Sequence, residues 1–143
     1  MKIALNQAKK ASLLGEVPVG AVIVDKNGEI IAQSHNRCEQ DFDISAHAEI
    51  LAIKEAAQKR QTTRLIDCDL WVTLEPCAMC ATAISFARIK RLYFGAYDTK
   101  SGGIFSGPKI YTHQTIHHKP EVYGGIMEDN CKELMQDFFK LKR

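Results

Sequence analysis

The chain has 143 residues, 45% of them hydrophobic, and sets 19 basic against 17 acidic side chains for a formal charge of +2. That length and apolar content predict one globular domain over residues 1–143 with a sizeable core, and the mild charge excludes a generic DNA-coating protein while leaving room for a local basic face. Asn6, Gln7, Lys9 and Lys10 fall where a signal peptide needs an unbroken apolar region, and no stretch approaches membrane-spanning length. A cytoplasmic location without membrane contact is therefore expected. The five cysteines show no disulfide-like framework and fit a reducing compartment, with Cys38, Cys68 and Cys131 read as packed or surface thiols.

Apolar residues at Ile3, Leu5, Ala8, Ala11 and Leu14 recur at helical spacing over 2–14, and Gly15 ends the run. A β-branched run over 19–24 reads as a strand, Asn27-Gly28 as a hairpin turn whose residues both tolerate positive φ, and 29–32 as the antiparallel partner. A helix follows over about 46–58, with Ser45 or Asp43 as its N-cap. Residues 69–74 form a third strand, 77–88 a helix opened by Pro76, and 92–96 a fourth strand, so a parallel β-α-β crossover is expected there. Residues 97–120 show no sustained period and are long enough to hide a short helix. Residues 121–123 are a fifth strand, and 127–141 a final helix with Met127, Cys131, Leu134, Met135 and Phe138 on one face. The expected assembly is a three-layer α/β/α domain around a mixed sheet, with ligands at the strand ends.

The chemistry concentrates in His47-Ala48-Glu49 and Pro76-Cys77-Ala78-Met79-Cys80. Cysteines three apart at a helix start share one face and can chelate one metal ion; a redox pair or two packed thiols are the alternatives for a lone C-x-x-C. His47 and Glu49 would point about 200° apart in mid-helix and can share a site only at a helix end. His47 is the one good third ligand, and three ligands leave a position for water, as in catalytic zinc sites. Two helix N-termini aimed at the ion favour thiolates, and Glu49 remains as the acid/base.

This H-x-E and P-C-x-x-C pair resembles the signature of the zinc-dependent nucleobase deaminases. Glu16-Val17-Pro18-Val19-Gly20-Ala21, His35-Asn36-Arg37, Thr73-Leu74-Glu75, Phe94-Gly95-Ala96 and the closing Asp137-Phe138-Phe139 with its basic tail narrow the likeness. They look like the bacterial tRNA-specific adenosine deaminases of the cytidine/deoxycytidylate deaminase superfamily. The resemblance runs from about residue 16 to 143 and is strongest over 46–96. It departs at Ile44, where the family commonly has proline, and over 107–118, where no roles are assigned. Histidines 113, 117 and 118 are read as surface residues.

The resemblance implies a five-stranded cytidine-deaminase-like fold, one Zn2+ per subunit of a homodimer, and conversion of adenosine to inosine at the wobble position of a tRNA anticodon. It implies that Asn36 hydrogen-bonds the flipped purine and that Asp98 and Lys100 touch anticodon nucleotides. A turn asparagine and a solvated charged loop are the structural alternatives. Phe139, Lys140, Lys142 and Arg143, at the basic, aromatic end of the last helix, are candidates for backbone contacts and stacking. Two other readings stand beside this one. One is a deaminase of a free base or nucleoside such as guanine or cytosine; the other is a non-catalytic zinc or RNA-binding module, which would need Cys68 or His35 as a fourth ligand.

Overall fold

The computed structural model describes residues 1–142; Arg143, a candidate RNA contact, lies outside them. Helix α1 (Lys2–Leu13) buries Ala4, Leu5, Ala8 and Ala11, and Gly15 turns the chain away at φ +77°. Strands β1 (Gly20–Val24) and β2 (Ile30–His35) pair antiparallel as expected. The turn between them differs from the simple Asn-Gly reading, because only Gly28 takes a positive φ. Asp25 Oδ1 accepts the N–H groups of Asn27 and Glu29, and the register slips between Ile23 and Val24. An aspartate side chain thus braces a longer turn, in place of a two-residue loop with both φ angles positive.

A short helix α2 (Cys38–Asp41), not foreseen from the sequence, precedes helix α3 (Ala48–Arg60). Strand β3 (Asp69–Leu74) pairs antiparallel with β1 and parallel with β4 (Arg91–Ala96). The crossover between them is helix α4 (Ala78–Phe86), shorter than expected because Arg88 turns out of the helix at φ +62°. Strand β5 (Glu121–Tyr123) adds parallel to β4, which gives the order β2-β1-β3-β4-β5. Residues 97–120 do contain a short 3-10 turn, Ile110–Thr112. His118 Nε2 sits 2.7 Å from the Ile89 carbonyl oxygen and the Ser85 hydroxyl donates to the His118 carbonyl, so this histidine ties the loop to the end of α4.

Helices α3 and α4 cover one face of the mixed sheet. There Ile23, Leu70, Val72, Leu92 and Phe94 meet Ala52, Ala56, Ala81 and Ile84 in the main core. Helix α1 and the last helix, α5 (Glu128–Leu141), cover the other, over a smaller cluster of Leu5, Ala96 and Cys131. Glycines set how closely these two helices approach. A Cβ on Gly20 would run into the Ala4 carbonyl oxygen and lie 2.6 Å from Ala8 N, and one on Gly95 would meet Cys131 Sγ. Gly20→Ala is therefore expected to destabilise the fold by about 3 kcal/mol, because helix backbone cannot yield as a side chain can. A lower urea midpoint at unchanged m-value is the measurement. Among the described residues no helix is long and apolar enough to cross a membrane.

Candidate active site

Strand β3 stops at Leu74, Glu75-Pro76 turns the chain, and Cys77 takes the N-cap position of α4 with extended backbone (φ −68°, ψ 175°). His47 holds the same position on α3 (φ −72°, ψ 151°). The expected capping by Ser45 or Asp43, with His47 inside the first turn, is thereby corrected. The first free N–H of α3, on Ala48, is satisfied from across the fold by Asn36 Oδ1 at 2.8 Å, so no neighbouring side chain has to cap it. Asp43 instead accepts the backbone N–H and hydroxyl of Ser45 at 2.8 and 2.6 Å, and its carbonyl accepts Ala46 N–H. This self-bonded turn defines the approach to His47 without a proline, and Ile44 is left 91% exposed.

The two helix starts bring three donors together. His47 Nδ1 lies 3.7 Å from Cys77 Sγ and 3.5 Å from Cys80 Sγ, and the three ligand atoms are within 4.8 Å of one another. Tetrahedral bonding at zinc–nitrogen and zinc–sulfur lengths near 2.0 and 2.3 Å would separate N from S by about 3.5 Å, so the donor set and its spacing fit zinc. Neither sequence candidate for a fourth ligand joins the group. The Cys68 thiol turns to Asp67, and His35 Nδ1 lies 2.9 Å from the Asn36 carbonyl oxygen. Among the described residues, then, the cluster offers three ligands, one fewer than a four-coordinate zinc takes.

The electrostatics favour one thiolate in this pair. The hydrogen bond from Cys80, followed by that from His47, pulls the Cys77 thiol down to about 4. Cys80 moves up, because its neighbour is already charged and because it is buried. The same contact with Cys77 raises His47. Glu49, only 4% exposed, lies on the first turn of α3 behind His47. Burial raises its carboxyl to about 7.

His47, Glu49 and Cys77 line a cleft of about 610 Å³ that also takes in Asn36, Asp98, Phe139 and Lys142. A second depression of about 950 Å³ shares Asp98, Phe139 and Lys142 with it and adds Lys100, Lys132 and Lys140. Of the expected substrate residues, Asn36, Asp98 and Phe139 thus adjoin the metal group and Lys100 stands further along. Asn36 is buried, and its contact with Ala48 N–H fixes which end of the amide faces the helix and leaves the NH2 group free to donate. Asp98 Oδ1 accepts the N–H groups of Lys100 and Ser101, so it also shapes its own turn. Two buried carboxylates were not foreseen as site residues. Glu16, in the cleft, accepts Gln40 N–H, and Glu75 accepts several loop N–H groups. A charged residue at the end of an apolar strand was the one sequence signal for Glu75.

The MafB19-like deaminase family matches residues 1–143. A tRNA-specific adenosine deaminase from Agrobacterium fabrum is 48% identical over 143 residues, covering 100% of this chain and 93% of that protein. One from Bacillus subtilis is 44% identical over 140 residues, covering 98% and 86%. The chain belongs to the tRNA-specific adenosine deaminase family. A solved structure from work on A-to-I editing by tRNA:A34 deaminases at the wobble position superposes with TM-score 0.92 at 48% identity, covering 94% of this chain and 96% of that one. A guanine deaminase from Nitrosomonas europaea superposes with TM-score 0.81 at 21% identity, covering 96% and 81%, and shares the fold.

Proposed function

We propose that this single domain, residues 1–143, hydrolytically converts adenosine to inosine at the wobble position of a tRNA anticodon. The observation that carries the chemistry is a three-donor group beside the buried carboxylate of Glu49. Membership of a family whose relatives match the chain from end to end supports the substrate. The free-base reading has the weaker likeness behind it, at 21% and 30% identity to guanine deaminases against 48% to the tRNA:A34 deaminase. The non-catalytic reading needs a fourth ligand that neither Cys68 nor His35 provides.

His47, Cys77 and Cys80 would hold one zinc ion per chain. Bound there, zinc acts as a Lewis acid that makes water a competent nucleophile near neutral pH. Glu49, close by but not a ligand, would take a proton from the attacking water and deliver it to N1 as oxygen adds to C6. It then carries the remaining water proton to the amino nitrogen, the C6–N bond breaks, and ammonia leaves. The free NH2 of Asn36 donates to a ring nitrogen of the purine and fixes its plane against the reacting centre. A wobble base in an anticodon loop suits this cleft, because leaving the stack costs least in a single-stranded loop.

Asp98 and Lys100 border the RNA path in this reading, Phe139 offers a ring that is 45% exposed for stacking, and Lys140, Lys142 and Arg143 meet phosphates. Each lysine that meets a phosphate of a single strand contributes about 0.7 to the slope of log K against log salt, so replacing Lys140 and Lys142 by alanine is expected to lower that slope by about 1.4. Unchanged binding of an anticodon stem-loop across salt concentrations would remove the tail from the proposal. The protein acts as a homodimer in the cytoplasm, and Phe42 and Phe86, 97% and 69% exposed, supply apolar surface for a second copy. Light scattering measures that mass.

The deciding experiment offers the zinc-loaded protein an anticodon stem-loop with wobble adenosine and, separately, free adenosine, guanine and cytosine. Inosine formed only in the RNA is expected. Ammonia released only from a free base would overturn the substrate and keep the chemistry.

A further inference from the structure

We infer that Glu75 is a positioning residue for RNA recognition, its buried carboxylate holding residues 98–106 in place as a wall of the substrate cleft. The inference rests on the tRNA reading above. Glu75 Oε1 accepts the N–H of Asp98 at 3.2 Å. Oε2 accepts the consecutive N–H groups of Ile104, Phe105 and Ser106 at 3.1, 3.0 and 3.3 Å. Successive amides converging on one point form a concavity suited to an anion, and here the anion belongs to the chain itself.

The carboxylate is 2% exposed, and none of the ion pairs among the described residues includes it. Its charge is therefore compensated by loop amides alone, and those amides find their acceptor in it alone. Removing it strands both sides. The loop has no slack around this contact. A Cβ on Gly102 would collide with Glu75 Oε2, and one on Gly103 would lie 2.6 Å from Ala78 N, on the first turn of α4. Gly103 N–H also donates to the Pro76 carbonyl at 2.8 Å.

The consequence falls on the loop and spares the metal group. Asp98 and Ser101 line the inner cleft and Lys100 the outer depression. Cys77 and Cys80 are placed by the helix itself, whose first bond runs from Ala81 N–H to the Cys77 carbonyl at 2.8 Å. Loss of Glu75 should then free the RNA-facing wall while the three donors stay assembled.

Two variants of the full-length, zinc-loaded protein separate these roles. In Glu75→Gln the side-chain carbonyl can keep the three-amide contact, and the NH2 group then faces Asp98 N–H, donor against donor. Glu75→Ala releases both ends. KM for an anticodon stem-loop is expected to rise about tenfold in Glu75→Gln and further in Glu75→Ala, with kcat within about threefold and one zinc per chain retained. Hydrogen exchange should quicken at Asp98 in the first variant and also at residues 104–106 in the second. Faster exchange with unchanged KM overturns the inference, as does loss of zinc or a fall in kcat at constant KM. Should Glu75→Ala not fold, Glu75→Gln decides alone. A wild type inactive on the stem-loop would sink the tRNA reading, whereas an active wild type with an unaffected Glu75→Gln sinks only the anchor.

Discussion

Replacing Glu49 by glutamine is expected to lower kcat by about 10²–10⁴-fold while zinc content and fold remain those of the wild type. The amide matches the carboxylate in size and fills the same buried place on the first turn of α3. It cannot take a proton from water or pass one to the base. Because Glu49 stands outside the three-donor group, metal retention separates its role from that of a ligand. The thermal midpoint should not fall either, since a neutral side chain avoids the desolvation that pushes the Glu49 carboxyl up to about 7. A Glu49→Gln protein that still formed inosine at the wild-type rate would refute the proton-shuttle assignment.

Cys77→Ala and Cys80→Ala are expected to fail differently, losing zinc, activity and part of the stability together. A metal that binds only the folded chain stabilises it by about 4 kcal/mol at a thousandfold excess over its dissociation constant. Two remaining donors would forgo most of that. Added zinc should therefore raise the unfolding midpoint of wild type and of Glu49→Gln but leave the cysteine variants unmoved. Calorimetric melting with and without zinc, beside metal analysis, makes the comparison. Full zinc occupancy in either cysteine variant would refute the ligand assignment. Because the ligands stand at the starts of α3 and α4, a bound metal would tie those two ends together, and its loss should also loosen how these two helices meet.

Much of this protein was legible in its sequence because local pattern carries it. The apolar run Leu70, Trp71 and Val72 marks a strand, the 77–80 spacing marks one face of a helix start, and a strand, helix and strand in succession demand a parallel crossover. These features depend on residues a few positions apart, so periodicity alone finds them. The pairing of His47 with Cys77 could be read from their chemistry before any coordinates, since a chelating pair lacks a third donor and histidine supplies it.

Tertiary structure decided how those groups are held. Asn36 satisfies the first amide of α3 from twelve residues away, which is why His47 and not Ser45 stands at the cap position. Glu75 reaches 23 to 31 residues forward to gather the N–H groups of Asp98 and residues 104–106. Part of a stretch that shows no period is held by one distant carboxylate. The physical reason is the same in both places: every residue but proline carries a backbone N–H, so the donors that such side chains seek leave no mark in the sequence. Only the folded chain shows which amides are left without partners, and which buried side chain reaches them.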